Sequence, residues 1–381
     1  WRFIMANLKV NTVSGIGTEG PVLDGGLHFR SKNYLTLPKG TTAERTATSS
    51  GISTEIGSIR YNTDSNKMEC YVNNKWMIVS TSSPNLDGGA RAVFGSGMLF
   101  PSNAHDDRMD YVTISTAGNA ISFGDASANY EHKIGATASN TRGLFAGGNA
   151  PGQVNTIDFI TISSTGNASD FGDLTTVGNT MASCGNQTRG LFCNGHRSNS
   201  GSPYNSDVID YVTIASEGNS VDFGDTVNDA RQRWGSTTPT RGFIANGVTS
   251  SGNANTIEMI TIATLGNAVD SGFDTVSSFT TSCQTATNGK RIVFQLDTSS
   301  PFPIGYFNAF NLSNSMTFGD LNANGSGSGG YPCSSTRGLF GAQGTGIDYI
   351  NISTEGNAVD FGDLTVSRYI YGAVSNAHGG L

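Results

Sequence analysis

Apolar and polar residues alternate in short segments, and the pattern repeats six times between residues 88 and 381. Each copy opens with an arginine and a small or apolar run, such as Arg-Gly-Leu-Phe at 142–145. The opening arginines are Arg91, Arg142, Arg189, Arg241, Arg291 and Arg337, which stand 46 to 52 residues apart. A period near 50 is typical of the four-stranded blades of a β-propeller.

Three more predicted strands follow the arginine strand in each copy. The second strand alternates, as in 157–162, and the third ends in Phe-Gly-Asp, as in 171–173. A Gly-Asn pair such as Gly166-Asn167 lies between them and predicts a hairpin turn. A less regular fourth strand, such as 135–139, leads into the next arginine.

Two copies depart from this pattern. The fourth reads Gly-Phe-Asp at 272–274, and the fifth has no Gly-Asn pair between Tyr306 and Met316, so their loops are expected to be the most divergent. Six whole copies still fit between Arg91 and Leu381. The sequence therefore predicts an all-β unit over residues 88–381 that closes as a six-bladed β-propeller.

The repeated residues predict contacts between blades. The phenylalanine of each Phe-Gly-Asp is expected to fill the wedge between adjacent blades. Each opening arginine is expected to pair with a nearby aspartate and with backbone carbonyl groups. A ring of the repeated aspartates is a tempting site, but a catalytic site on a propeller requires asymmetry, so the repetition favours a structural role.

The blade pattern resembles divergent kelch-type repeats. The resemblance rests on Phe145-Ala146-Gly147-Gly148, the alternating strand 157–162 and the Phe-Gly-Asp strand, and it extends from about residue 88 to the end of the chain. The chain departs from kelch because the double glycine recurs only at Gly88-Gly89, and phenylalanine fills the usual tyrosine and tryptophan positions.

Residues 1–79 do not show this repeat and are predicted to form a small β-rich module. A linker at 80–87 is predicted to join this module to the repeated unit. Segments 59–62 and 68–72 alternate and are joined by an Asp-Ser-Asn turn, and Asn73-Asn74 turns the chain into 75–79. The predicted structure is a three-stranded meander.

The stretch Leu-Pro-Lys-Gly-Thr-Thr-Ala-Glu-Arg at 37–45, followed by Ile-Arg-Tyr-Asn-Thr at 59–63, resembles a module of tailed-bacteriophage fibre and adhesin-like virion proteins. The resemblance implies a virion structural protein that is assembled in the host cytoplasm, contacts other virion proteins and forms homo-oligomers, with a trimer as one option. A meander this small buries little apolar surface alone, so the module is expected to govern assembly. The residues expected to need cover are Tyr61, Tyr71, Trp76 and Ile78.

Composition narrows the possible functions. The 50 glycines suit many tight turns, and the net charge of −8 argues against binding to nucleic acid or anionic lipid. No segment approaches the ~20 apolar residues of a membrane span, and no signal peptide opens the chain, so no membrane insertion is expected. The five cysteines form no Cys-x-x-Cys pair and are expected to be buried free thiols.

No catalytic constellation stands out, so the chain is not expected to be an enzyme or to hold a cofactor. The five histidines are scattered without a partner spacing, and no calcium-loop spacing is present. Aromatic residues in the predicted loops are the better contact candidates, with stacking on a sugar or protein as open an option as ordinary packing. They are Tyr130, Tyr204, Trp234, Phe302, Tyr306 and Tyr331.

The leading hypothesis is a virion structural protein of the tail-fibre or adhesin type, whose propeller contacts a host surface glycan or protein. A capsid or tail decoration protein that binds only virion subunits is the first alternative. A carbohydrate-active or carbohydrate-binding propeller is the second, and hydrolysis would need a clustered acid pair that the sequence does not reveal.

Overall fold

The computed structural model describes residues 37–46, 56–65, 67–79, 90–132, 135–197, 204–276, 283–325 and 329–381. These residues form β-strands and one short 3-10 helix, and no α-helix occurs among them, so the all-β expectation is confirmed. The chain divides into two compact units, Trp1–Ser83 and Pro84–Leu381. The division falls inside the predicted linker.

Unit 1 contains one four-stranded sheet in the order β1-β2-β3-β4. Its elements are β1 (Lys39–Gly40), the 3-10 helix η1 (Ala43–Thr46), β2 (Ile59–Asn62), β3 (Lys67–Val72) and β4 (Lys75–Ile78). The predicted meander is confirmed as β2 to β4, which pair antiparallel, and β1 adds a short parallel strand. Asn73 and Asn74 have φ values of 50° and 59°, as a tight two-residue hairpin turn requires.

Unit 2 contains the strands of the six copies. The first copy holds β5 (Arg91–Phe94), β6 (Gly97–Leu99), β7 (His105–Thr113), β8 (Ile121–Tyr130) and β9 (Gly135–Ala138). The second holds β10 (Arg142–Ala146), β11 (Thr156–Thr161), β12 (Ser169–Asp173) and β13 (Ala182–Gly185), and the third holds β14 (Arg189–Cys193), β15 (Ser206–Thr213), β16 (Val221–Arg231) and β17 (Trp234–Thr237). The fourth holds β18 (Arg241–Ala245), β19 (Val248–Thr249), β20 (Gly252–Asn253), β21 (Thr256–Thr261), β22 (Val269–Asp274) and β23 (Thr285–Thr287). The fifth holds β24 (Arg291–Gln295), β25 (Pro303–Asn308), β26 (Met316–Asp320) and β27 (Gly329–Gly330), and the sixth holds β28 (Arg337–Gly341), β29 (Gly344–Asn351), β30 (Val359–Tyr369) and β31 (Gly372–Ser375).

The sheets are offset by one strand from the sequence copies. In the first four copies the strand that follows the third strand pairs with the next arginine strand, as β9 pairs with β10 in the sheet β12-β11-β10-β9. In the fifth copy the corresponding strand, β27, pairs in parallel with β31 instead. Only residues 139–141 separate β9 from β10, so the shortest available connection is a hairpin. The last strand, β31, pairs with the first arginine strand, β5. The two ends of unit 2 therefore share one sheet.

The apolar core consists of six clusters, and each cluster draws most of its side chains from two consecutive copies. The cluster around Phe361 joins the sixth copy to the first through Leu339, Phe94 and Ile114. Each cluster contains one phenylalanine of the repeated motif, and all six are buried: Phe123, Phe171, Phe223, Phe273, Phe318 and Phe361. The predicted packing of this phenylalanine between copies is confirmed.

The Gly-Asn turns bind neighbouring copies to each other. In every copy the backbone N–H of the aspartate at the end of the third strand donates to an asparagine side-chain oxygen of the next copy, at 3.1 or 3.2 Å. The pairs are Asp125–Asn167, Asp173–Asn219, Asp225–Asn267, Asp274–Asn314, Asp320–Asn357 and Asp363–Asn119. The fifth copy lacks the Gly-Asn pair, yet Asn314 preserves the bond.

Strands β9 and β23 and the segments around Tyr331 and His378 meet at a few buried side chains. The Tyr331 hydroxyl hydrogen-bonds to Thr137 of β9, and the His378 ring lies 4.6 Å from that of Tyr331. Nε2–H of His378 donates to the carbonyl oxygen of Ala138 at 2.9 Å, and the Gly379 N–H donates to Thr287 of β23 at 3.1 Å. Residues 378–379 thus contact both β9 and β23, which belong to different sheets.

Candidate functional site

The repeated arginines serve contacts between copies. Five of the six donate to a backbone carbonyl of the following copy: Arg91 to that of Ser163, Arg142 to that of Ile214, Arg189 to that of Ile262, Arg291 to that of Ile352 and Arg337 to that of Ser115. The carbonyl half of the prediction is confirmed for these five. The aspartate half is wrong, because the acidic partners found among the described residues are Glu217 for Arg142 and Glu355 for Arg291.

Buried carboxylates recur at a position that the sequence analysis did not single out, inside the second strand of five copies. They are Asp110, Asp158, Asp210, Glu258 and Asp348. Each accepts a hydrogen bond from a residue two positions after the aspartate that ends the Phe-Gly-Asp of the preceding copy; Thr365, for example, donates to Asp110 at 2.7 Å. An acidic residue on the apolar side of an alternating strand was the signal that could have identified them.

Three of these carboxylates also pair with buried arginines. Arg368–Asp110, Arg197–Asp210 and Arg233–Glu258 are each 2.8 Å apart. Removing one partner of such a pair leaves an uncompensated buried charge, which typically costs 3–5 kcal/mol. These charges hold loops in place and are not accessible to a substrate.

Three histidines lie near one another on one surface of unit 2. The loops that form this surface connect a first strand to a second strand, or lead from a third strand toward the next copy. His105 Nε2 lies 3.1 Å from Glu131 Oε2, and His132 Nδ1 lies 3.6 Å from Glu131 Oε1. Asn149 donates to Glu131 at 2.7 Å. We name His105, Glu131, His132, Asn149 and His196 the Glu131 cluster.

The Glu131 cluster extends toward the third copy. Asn179 donates to Asn149 at 2.9 Å and shares a β-bridge with His196. The His196 ring lies 5.3 Å from the ring of Tyr204, whose side chain is exposed. Burial lowers the pKa of His132, outweighing the opposing effect of Glu131, and burial also lowers the pKa of His196. Three of the five histidines, which have no regular spacing in the sequence, therefore lie near one another in the structure.

The Glu131 cluster offers hydrogen-bonding groups and partly exposed rings. Among the described residues, no group of three or more His, Cys, Asp or Glu side chains is arranged to hold a metal ion. Of the cysteines, four are buried and Cys70 is half-buried, and all five are free. Burial raises the pKa of both Cys283 and Cys333 to about 12, so these thiols stay protonated near neutral pH.

Of the six aromatic residues predicted to lie exposed in loops, only Tyr204 is exposed, and Phe302 is half-buried. The expectation of exposure is wrong for four of them, which are buried: Tyr130, Trp234, Tyr306 and Tyr331. Trp234 opens the inner strand β17 and stacks on Phe294 with ring centroids 4.5 Å apart. Flanking glycine and polar residues suggest loops, but the burial of such rings is decided by neighbouring copies.

The sheet of unit 1 has one polar face, which includes a buried ionic network. Glu69 of β3 accepts from Arg45 Nε at 3.0 Å and from Asn62 at 2.8 Å, and it has no exposed surface. The hydrogen bond from Arg45 holds the pKa of the Glu69 carboxyl below its usual range. Because Glu69 accepts from both Arg45 and Asn62, it joins the 37–45 stretch to the 59–63 strand, the two segments that carry the fibre resemblance.

The opposite face of this sheet carries mostly apolar side chains, with Lys39 and Lys75 at its two edges, and the described residues leave it largely uncovered. Register places Ile59, Cys70 and Met77 side by side, and Tyr61 beside Met68. The exposed apolar side chains on this face are Ile59, Met68, Val72 and Met77. Of the residues predicted to govern assembly, Tyr61 lies on this face. Tyr71, Trp76 and Ile78 lie on the polar face.

No protein-family model matches the chain, and no curated protein matches it. The described residues contain no helix long and apolar enough to cross a membrane. Two surfaces of this chain are candidate functional sites: the loop surface around the Glu131 cluster and the apolar face of unit 1.

Proposed function

We propose that this chain is a structural protein of a tailed-bacteriophage virion, without enzymatic activity, in which unit 1 mediates assembly and unit 2 contacts a host surface. The observation that carries the proposal is the uncovered apolar face of the unit 1 sheet. Ile59 and Met77 flank Cys70 on this face and are 48% and 54% exposed, which is high for apolar side chains on one face of a sheet. A contiguous exposed apolar face is the usual mark of a protein interface.

We further propose that unit 2 is a six-bladed β-propeller of divergent kelch type. The six core clusters between consecutive copies, the sixth of which joins the last copy to the first, support this arrangement. The pairing of β31 with β5 and the Asp363–Asn119 hydrogen bond support it as well. Sharing one sheet between the two ends of a chain is an effective way to remove exposed sheet edges.

A binding role fits the distribution of polar groups better than catalysis does. The buried carboxylates are used in contacts between copies, and the repeated arginines lie on backbone carbonyls. The accessible surface of unit 2 includes a loop surface with amide, imidazole and phenol groups. Such a surface suits reversible recognition of a glycan or protein.

The partners of the apolar face are other virion proteins or further copies of this chain, with a trimer as the option that the fibre resemblance favours. Symmetric self-association would cover the same side chains in every copy. No role in nucleic-acid binding is proposed, because the net charge of −8 opposes it.

Locating the protein on intact particles tests the proposal. Gold-labelled antibodies against unit 2, viewed by electron microscopy, are expected to mark tail fibres or the distal tail. Label on the capsid alone would favour a decoration protein that binds virion subunits. Purified particles that lack the protein would contradict the proposal, and a strain with the gene disrupted serves as the labelling control.

A further inference from the structure

One position at the start of the third strand recurs in every copy, two residues after the asparagine that binds the preceding copy. In five copies this position carries an exposed aliphatic side chain. The aliphatic residues are Ile121, Val221, Val269, Met316 and Val359, and each is about half exposed. The second copy differs, because Ser169 occupies this position. The difference breaks the repeat at a single surface site.

The repeated position lies beside a large side chain of the second strand. Ile121 pairs with Tyr111, and Val221 pairs with Tyr211. In the second copy Ser169 pairs with Phe159. A serine side chain is smaller than any of the five aliphatic ones. Ser169 therefore covers less of the Phe159 ring than the aliphatic residues cover of their own partners in the second strand.

An open groove lies at this place. Its lining includes Phe159, Thr161, Ser164, Thr165, Asn167 and Ser169. The five polar residues are exposed, and Phe159 is half-buried. The turn above the groove carries Ser163-Ser164-Thr165, whereas the residue matching Thr165 is Glu217 in the third copy and Leu265 in the fourth.

Two neighbouring side chains hold the Phe159 ring, the Arg142 guanidinium and the ring of Phe171, whose centroid lies 6.0 Å from that of Phe159. The Arg142 guanidinium lies over the ring, 4.7 Å from its centroid, and is itself bound to the Ile214 carbonyl and to Glu217. In the sheet, β11 lies between β10 and β12, so Arg142 and Ser169 flank Phe159 from opposite strands. The ring is therefore fixed in place and approached from the Ser169 side.

We propose that this groove binds one sugar unit of a neutral surface polysaccharide. The apolar C–H face of a pyranose packs against an aromatic side chain, and its hydroxyls exchange hydrogen bonds with serine, threonine and asparagine side chains. None of the residues that line the groove is titratable, which favours an uncharged ligand. The groove also lacks the carboxyl pair that glycoside hydrolysis requires, so the role is binding.

This inference deepens the proposed attachment role by naming a ligand class, and it rests on that role for its biological meaning. The test is a screen of the full chain against neutral bacterial polysaccharides and oligosaccharides, followed by titration calorimetry on those that bind. Ser169→Val places at this site the residue that the third copy has at Val221. It is expected to weaken binding at least tenfold, with a melting temperature within a few degrees of wild type.

Two further variants sharpen the test. Thr165→Ala is expected to weaken binding by about three- to tenfold, as loss of one hydrogen bond does. Val221→Ser makes the reverse change in the third copy and is expected to leave the affinity for the same sugar unchanged. Wild-type affinity in Ser169→Val would overturn the inference, as would the absence of neutral-glycan binding by the wild-type chain at millimolar concentration.

The outcomes separate this inference from the proposed function. Particles that carry the protein on their tails, together with a chain that binds no neutral glycan, would leave the virion role standing and remove the sugar site. Binding that is lost in Ser169→Val, by a protein that is absent from particles, would retain the sugar site and remove the virion role.

Discussion

The backbone N–H of Asp363 donates a hydrogen bond to the side-chain oxygen of Asn119, 3.1 Å away and 244 positions earlier in the chain. Asp125 and Asn167 make the same contact between the first and second copies, 42 positions apart. The contact between sixth and first copies is therefore equivalent in geometry to a contact between sequential copies.

This equivalence makes a first prediction. Asn119→Ala and Asn167→Ala are each expected to lower the free energy of unfolding by about 1 kcal/mol, because each removes one hydrogen bond to a backbone N–H. Urea denaturation of the two variants measures the effect. A loss in Asn167→Ala with none in Asn119→Ala would show that the sixth and first copies do not meet in solution.

Phe171 provides the second prediction. It is 2% exposed and packs with Leu144 and Phe192, side chains from two consecutive copies. Phe171→Ala is expected to cost about 3 kcal/mol or more, because the cavity lies in close-packed core. The matched control is Val221→Ala at an exposed position, expected to cost less than about 0.5 kcal/mol. Equal denaturation midpoints for the two variants would contradict the assigned packing.

His378 makes the third prediction, on pH. Burial lowers its pKa from 6.5 to about 4, and its ring accepts from the Gly380 N–H while donating to Ala138. Above pH 6.5 the ring is neutral in both the folded and the unfolded chain. As the pH falls from 6.5 to 4, the unfolded chain takes up a proton that the folded chain does not, so stability decreases by about 3 kcal/mol.

His378→Gln isolates this contribution, because glutamine keeps an amide donor but does not titrate. The variant is expected to be less stable than wild type at pH 7, and the difference is expected to shrink toward pH 4. Urea denaturation at pH 7, 5.5 and 4 provides the comparison. A constant difference across that range would rule out a buried neutral His378 as its source.

The apolar face of unit 1 makes the fourth prediction. Met77→Lys, on that face, is expected to reduce self-association or binding to a virion partner, because it places a charge in the proposed interface. Ile78→Lys is the matched control, since Ile78 is similarly exposed but lies on the opposite face. Light scattering on the full chain distinguishes the two, and equal behaviour of both variants would argue against the face.

A fragment that begins near residue 87 makes the fifth prediction. Unit 2 has its own apolar core, so the fragment is expected to be a folded monomer that no longer enters particles. The full chain is expected to oligomerise or to bind a virion partner. An oligomeric fragment, or a full chain that stays monomeric and stable without a partner, would place the assembly contact elsewhere.

Much of the architecture could be predicted from the sequence, because it depends on local periodicity. Alternation located the second strands, and the repeated Phe-Gly-Asp located a buried phenylalanine such as Phe171. The meander of unit 1 followed from alternating strands and the turn at Asn73-Asn74. Alternation and turn chemistry act over a few residues, so a single chain segment is enough to reveal them.

Tertiary structure decided the candidate site and the sharing of sheets. In four copies the fourth strand pairs forward through a hairpin, and the length of the repeat is the same whichever copy that strand joins. The Glu131 cluster unites His105, His132 and His196 through loops from different copies. Trp234 and Tyr331 are buried by neighbours far away in sequence. Such contacts depend on which segments meet after the chain folds, and local patterning does not contain that information.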